Sequence, residues 1–360
     1  MINFSIKKVL IMKIIFLFIF IGNCFCELNL NISKQNINNR VNNKTNNTNF
    51  SNYEKIHKKN LILGVIMWYS LEIILPFFNS LLQAKIKNYE TVIFVKNVSQ
   101  NLINYLKSIG VIIYNINNDY KNIPITKFRW KIYFDFLNKK KSEYELIFIA
   151  DIRDTFFQRD IFKCYENRKS FIGISIEDGT LNQGINKKWV KDFAGEEKQN
   201  TIKNERIICF GSIWGTLDKI LEFSNIFWEK LKSNTNSTDQ GIGNYLFYYE
   251  KIFEDCVVKS DNYGPVMTIG RTQRENIILD LNNNVLNFGG EIAAVIHQYD
   301  RKRDIAIKIK KKFLYNNFTR VIDCKNQKNL LNKYSNNNKL NKINQLHSNK
   351  ELAKYINILL

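Results

Sequence analysis

The sequence predicts an α/β fold, an open, mixed and mostly parallel sheet with helices on both faces, and three observations carry that expectation. Leu61-Ile-Leu-Gly-Val-Ile-Met-Trp68 is an unbroken apolar run of strand length, the pattern of a strand covered on both sides. Strand-like and helix-like segments then alternate up to Ala150. The last of these strands runs straight into acidic residues, at the place where open α/β sheets bind ligands.

The elements follow in order. After the first strand come a helix from Leu71 to Ala84, a strand from Thr91 to Val95 and a helix from Asn101 to Ile109. A strand from Val111 to Ile116, a helix from Thr126 to Leu137 and a strand from Leu146 to Ala150 complete the alternation. Such alternation implies right-handed βαβ units and hence parallel pairing. Ser170 to Ile176 and Arg206 to Phe210 read as further strands. Leu217 to Leu231 reads as an amphipathic helix carrying Leu217, Leu221, Phe227, Trp228 and Leu231. A last short apolar strand precedes His297.

The 360-residue chain is 45% hydrophobic and 13% aromatic, enough for a sizeable core. Asn, Lys and Ser dominate residues 29–52 and 325–349, which offer too little apolar surface to offset the entropy of ordering them. The expected organisation is a targeting segment over 1–26, a low-complexity linker over 27–59, a catalytic domain over 60–316 and a basic tail over 317–360. The net charge of +20 is spread over the tail and short runs such as Lys139-Lys140-Lys141. No zinc-finger, helix-turn-helix or RNA-binding signature accompanies it, so no specific nucleic-acid partner is expected. No glycine-rich loop of the Walker or dinucleotide type occurs, which removes the main signature of P-loop kinases and Rossmann dehydrogenases.

Lys7, Lys8 and Lys13 precede an apolar run from Ile14 to Gly22, and Asn23-Cys24-Phe25-Cys26 supplies a signal-peptidase type of ending before Glu27. The segment reads as a cleaved signal peptide or as a type II signal anchor. Either places the domain in the lumen of the secretory pathway, ER or Golgi, or outside the cell, with membrane attachment only if the segment is retained. Sequons at Asn31, Asn43, Asn46, Asn49, Asn97, Asn236 and Asn317 fit that compartment. Cys164, Cys209, Cys256 and Cys324 would remain after cleavage, compatible with two disulfides in any of three pairings or, for Cys209 in its apolar run, with a buried free thiol.

Asp151-Ile-Arg-Asp154 directly follows the apolar strand ending at Ala150. Carboxylates at a strand's carboxyl end are placed to hold a hard divalent cation that neutralises a diphosphate; the same residues are also ordinary turn formers. His297, in Ala293-Ala-Val-Ile-His297-Gln-Tyr-Asp-Arg301, is expected to join them at the same sheet edge, and manganese (or magnesium) accepts such oxygen and imidazole ligands. The alternative for His297 is a satisfied structural histidine.

Four segments in order resemble the motif set of GT-A-fold glycosyltransferases, and are similar to the retaining family-eight type that includes glycogenin. They are Ile147 to Asp160, Cys209-Phe-Gly211-Ser-Ile-Trp-Gly215, Asp239-Gln240-Gly-Ile-Gly-Asn244, and His297 to Arg301, over roughly residues 61 to 303. The resemblance implies a GT-A-like sheet, manganese held by Asp151 or Asp154 with His297, and a nucleotide-sugar donor, uridine-linked. The Asp-x-x-Asp spacing here differs from the family's Asp-x-Asp. It further implies Asp239 and Gln240 at the donor sugar and its anomeric centre, and Gly211 and Gly215 as small positions beside the sugar. The glycan, lipid or protein acceptor stays open.

Loss of a nucleoside diphosphate develops negative charge, so Arg129, Arg153 and Arg301 are candidate donor-binding cations. Glu177 and Asp178, after the Ile172 to Ile176 strand, are candidates for the acceptor side. The competing expectation is a secreted carbohydrate-binding or surface-interaction protein that keeps the fold without turnover.

Overall fold

The computed structural model describes residues 58–116, 123–234 and 237–315. The targeting segment, all but the end of the linker, the tail, Cys324 and the sequons other than Asn97 lie outside them. Strands β1 (Lys59–Met67), β2 (Tyr89–Lys96), β3 (Ile112–Asn115), β4 (Tyr144–Ala150), β6 (Ile172–Thr180), β7 (Arg206–Thr216) and β8 (Val257–Ser260) form one sheet in the order β3-β2-β1-β4-β7-β6-β8. Parallel pairs join β3 to β2, β2 to β1, β1 to β4 and β6 to β8; β7 runs antiparallel to both β4 and β6. This is the open, mixed, mostly parallel sheet that the sequence predicts.

Alternation along each central strand divides the core. Leu61, Leu63, Ile147 and Ile149 point to one face, and Ile62, Ile66, Phe148 and Ala150 to the other, all buried. On the first face lie the helices α3 (Ile125–Lys139), α6 (Leu217–Lys232) and α7 (Asp239–Tyr248), where Trp130 meets Phe223 and Phe227 edge-on at 5.3 and 4.8 Å. On the second face lie α1 (Leu71–Gln83) and α2 (Gln100–Ser108). Two more helices, α4 (Gly184–Ala194) and α5 (Glu196–Ile202), follow β6, and α8 (Arg303–Tyr315) packs against α1.

The sequence expectation needs two corrections. Strand β7 continues six residues beyond Phe210 to Thr216, pairing Gly215 with Ile147 and Ile172. Gly215 is tolerated in the strand because the backbone of Phe171 and Ile172 occupies the space of its missing side chain, and Gly211 because the side chains of His297 and Asp151 do. His297 does not share the main sheet's edge. It ends β12 (Val295–His297), the middle strand of a separate sheet with β5 (Thr155–Phe157) and β9 (Val266–Thr268), while β10 (Ile278–Leu279) and β11 (Val285–Leu286) form a short antiparallel pair. Because β5 begins one residue after Asp154 and pairs antiparallel with β12, His297 lies opposite Thr155. The two distant motifs are therefore neighbours in one ladder.

Cys164, Cys209 and Cys256 are free thiols, Cys209 buried and Cys164 exposed, so no disulfide forms among the described residues. No helix among the described residues is long and apolar enough to cross a membrane.

Candidate functional site

A cleft of about 730 Å³ opens beyond the carboxyl ends of β1, β4 and β6, the position open α/β sheets reserve for ligands. Its floor carries Asp151, Asp154 and His297, whose ligand atoms all lie within 4.8 Å of one another. The turn after β4 supplies both aspartates, and Asp151 is fixed by its amide donating to Gly211 O at 2.8 Å. His297 Nε2 stands 3.4 Å from Asp154 Oδ1 and 4.0 Å from Asp151 Oδ2. It is buried and makes no hydrogen bond. Across the ring, Nδ1 lies 3.4 Å from both Cys209 Sγ and Thr268 Oγ1, and Thr268 in turn meets Ser175 Oγ at 2.6 Å. Nδ1 thus has two neighbours of its own, and Nε2 is the ring atom that faces the carboxylates.

The electrostatics agree. Burial pushes Asp154 up, but His297 and Arg153 outweigh it and hold the carboxyl at about 2. Burial works against a charged His297, yet Cys209 and Asp154 together raise its pKa well above the ordinary 6.5. The Cys209 thiol is itself pushed up to about 12 by burial, so it faces the ring as a neutral group and Asp154 supplies the opposing charge. In the metal-free protein a proton on His297 therefore sits where a divalent cation would otherwise balance the carboxylates. Two carboxylate oxygens and an unpaired buried imidazole nitrogen fit manganese or another borderline divalent ion.

Arg129 organises the other side of the floor. Its buried guanidinium contacts Asp151 Oδ1 through Nη1, while Nη2 donates to Asp239 Oδ2 at 2.6 Å and to Phe210 O at 3.2 Å. The arginine expected to grip donor thus has three protein partners. Asp239 opens α7 beneath the Thr238 cap, its Oδ1 accepting the Gln240 amide at 2.9 Å. Burial raises the Asp239 pKa despite Arg129. Gln240 reaches Asn186 Oδ1 at 2.8 Å, and both aspartate and glutamine line the cleft.

Arg153 and Arg301 also line the cleft and share Asp300: Arg153 Nη2 lies 3.5 Å from Oδ2, and Arg301 Nε donates to Oδ1 at 3.2 Å. Arg153 further donates to Asp154 Oδ2 at 3.1 Å. Glu177 is buried in the cleft wall, where Gln298 Nε2 donates to it at 3.2 Å.

Two expected residues stand elsewhere. Asp178 leaves the cleft and is consumed by structure, accepting from Arg206 at 3.2 Å, Thr272 Oγ1 at 2.6 Å and Asn262 at 2.9 Å. Successive residues of a strand face opposite ways, so Glu177 and Asp178 cannot both enter. Gly215 lies away from the cleft, where a Cβ would collide with Phe171 O and approach Ile172 Cα at 3.1 Å. Gly211 is at the floor as expected, though the space it leaves belongs to His297 and Asp151: a Cβ there would run into the imidazole and come within 2.9 Å of Asp151 Oδ2.

Sequence reasoning missed Trp68, Tyr69, Asn186, Trp189 and Gln298, all in the cleft wall. The strand-end rule applied to β1 would have found Trp68 and Tyr69. Nothing in the sequence signals Asn186 and Trp189, which α4 brings over from outside the sheet.

No protein-family model matches the sequence, and no curated protein matches it. Among solved structures, the chain is similar to an active-site mutant of LgtC, at 13% identity and a TM-score of 0.42. It is also similar to the galactosyltransferase LgtC in complex with donor and acceptor sugar analogs, at 15% identity and a TM-score of 0.41. Each comparison covers 66% of this chain and 86% of the other.

Proposed function

We propose that this chain is a metal-dependent glycosyltransferase that moves a hexose from a uridine-linked nucleotide sugar to a glycan, lipid or protein acceptor in the secretory lumen. The observation that supports it best is the buried, unpaired Nε2 of His297 facing Asp154 and Asp151 on the floor of a large strand-end cleft. A divalent cation bound by these three groups would act as a Lewis acid on the departing diphosphate. The protein's own residues do the rest. Arg153 and Arg301 stand at the cleft wall as fixed cations for an anionic donor, their positions set by Asp300. Arg129 fixes Asp151 and Asp239 at a common distance, so that Gln240 at the head of α7 meets the sugar in one orientation. Glu177, held by Gln298, faces the acceptor side.

The test is thermal shift of the full chain with manganese and UDP, UDP-glucose, UDP-galactose or UDP-N-acetylglucosamine, followed by donor hydrolysis. Ligand at about a hundred times its Kd stabilises the native state by about 2.7 kcal/mol, so a manganese-dependent rise is expected with at least one nucleotide sugar. No metal-dependent rise and no hydrolysis with any of them would overturn the reading.

A further inference from the structure

Beside the main cleft lies a second cavity of about 440 Å³. The two are continuous in their walls: β6 contributes Glu177 to the first and Asp178 and Gly179 to the second, and Arg271 lines both. Arg271 is held in place, its Nε donating to Asp178 O at 2.8 Å and its Nη2 to Gln183 Oε1 at 3.0 Å. Gly179 stands beneath it at φ +104, where a Cβ would come within 3.2 Å of the guanidinium. A side chain at 179 would thus be strained and would crowd the junction.

The lining of the second cavity is amide-rich around one aromatic ring. Gln183, Gln273 and Asn276 surround Phe288. Phe288 is braced by Tyr263 edge-on at 5.4 Å, and its amide donates to Asn262 O at 2.8 Å, while Asn262 is itself bound to Asp178. The Asp178 that leaves the catalytic cleft is therefore a support for this wall. Among the described residues the side chains of Gln273 and Asn276 have no hydrogen-bond partner, so their donors and acceptors face the cavity's solvent. Covering these amides and a guanidinium with a lipid chain would cost several unmade hydrogen bonds. A sugar ring suits them, because its hydroxyls match amide donors and acceptors and its C–H face packs on an aromatic ring.

We infer that the second cavity is an extended acceptor subsite, and that the acceptor is a neutral glycan of at least two sugar residues, its terminal residue reaching Glu177 and its next lying on Phe288 between Gln273 and Asn276. This deepens the glycosyltransferase reading and rests on it. Neutral mono-, di- and trisaccharides of glucose, galactose and mannose, presented to the full chain on a microarray and then titrated by calorimetry, form the test. At least one di- or trisaccharide should bind about tenfold more tightly than its terminal monosaccharide. That gap should disappear in Phe288→Ala and, independently, in the exposed pair Gln273→Ala with Asn276→Ala. Manganese-dependent UDP binding should stay at the parent level in both. Equal affinity for mono- and oligosaccharides throughout, or a gap that survives both variants, would overturn the subsite. Loss of the glycosyltransferase reading shows separately, as absence of metal-dependent nucleotide binding in the parent chain.

Discussion

At one end of the cleft floor Asp154 faces the unpaired Nε2 of His297 at 3.4 Å; at the other, Asp239 is closed by Arg129 at 2.6 Å and by the Gln240 amide at 2.9 Å. Both carboxylates are buried, yet one is held down to about 2 and the other is raised. The difference lies in what each partner has left to give. The imidazole Nε2 turns only to the carboxylates, so a cation at the Asp154 end would stand in place of the ring proton. The guanidinium spends its fork on the protein, so the Asp239 end can only position its neighbours. Asp151 belongs to both ends, with Oδ1 on Arg129 and Oδ2 toward His297.

The largest effect expected is at the hinge between them. Arg129→Met leaves Asp151 and Asp239 without their common cation, and breaking a buried ion pair from one side costs about 3–5 kcal/mol. Urea denaturation of the parent and variant measures it, and a loss under about 1 kcal/mol, the level of a surface pair, would break the comparison.

Next comes the cation end. Asp154→Asn should weaken manganese binding by more than about a hundredfold, beyond the 10–100-fold that residues outside the ligand set cost. His297→Ala should do the same. Because either loss already disables the site, the double variant should be no worse than the single ones, and additive losses by calorimetric titration would separate His297 from Asp154.

The smallest effect is acid response in metal-free protein. Asp154 has a folded pKa below its ordinary 3.8, so its stabilisation is present above 3.8 and is lost as pH falls toward about 2. The loss is on the order of 2 kcal/mol. Asp239 has a raised folded pKa, so its contribution is present below 3.8 and is lost as pH rises through the folded value. Denaturant titrations in EDTA across this range should show Asp154→Asn removing the acid loss and Asp239→Asn leaving it in place. The reverse pattern would invert the assignment of the two ends.

The regular half of the sheet was legible because its signals are local. Leu61 to Gly64 and Leu146 to Ala150 are buried on both faces, so their apolar runs are unbroken wherever they are read. Of the second sheet only β12 was legible, from the apolar run before His297, since β5 and β9 have three residues each and carry no period of their own. Gly211 and Gly215 looked alike in sequence, yet four residues of strand separate them by roughly 13 Å, enough to put one on the cleft floor and the other against Phe171. Glu177 and Asp178 were read as a pair and parted by the pleat, one to the cleft and one to the wall beside Asn262.

By itself, then, the sequence determined the fold class, the strand-end position of Asp151 and Asp154, and the place of His297 at the end of an apolar strand, because apolar periodicity and residue type are written locally. Only the tertiary structure decided that His297 sits opposite Thr155 in a separate ladder, that its Nδ1 faces Cys209 and Thr268 while Nε2 faces the carboxylates, and that Arg129 closes Asp239 but leaves Asp154 open. Each of these depends on which atoms of distant segments meet, and hydrogen-bond partners in a buried site are settled by packing rather than by neighbours in sequence.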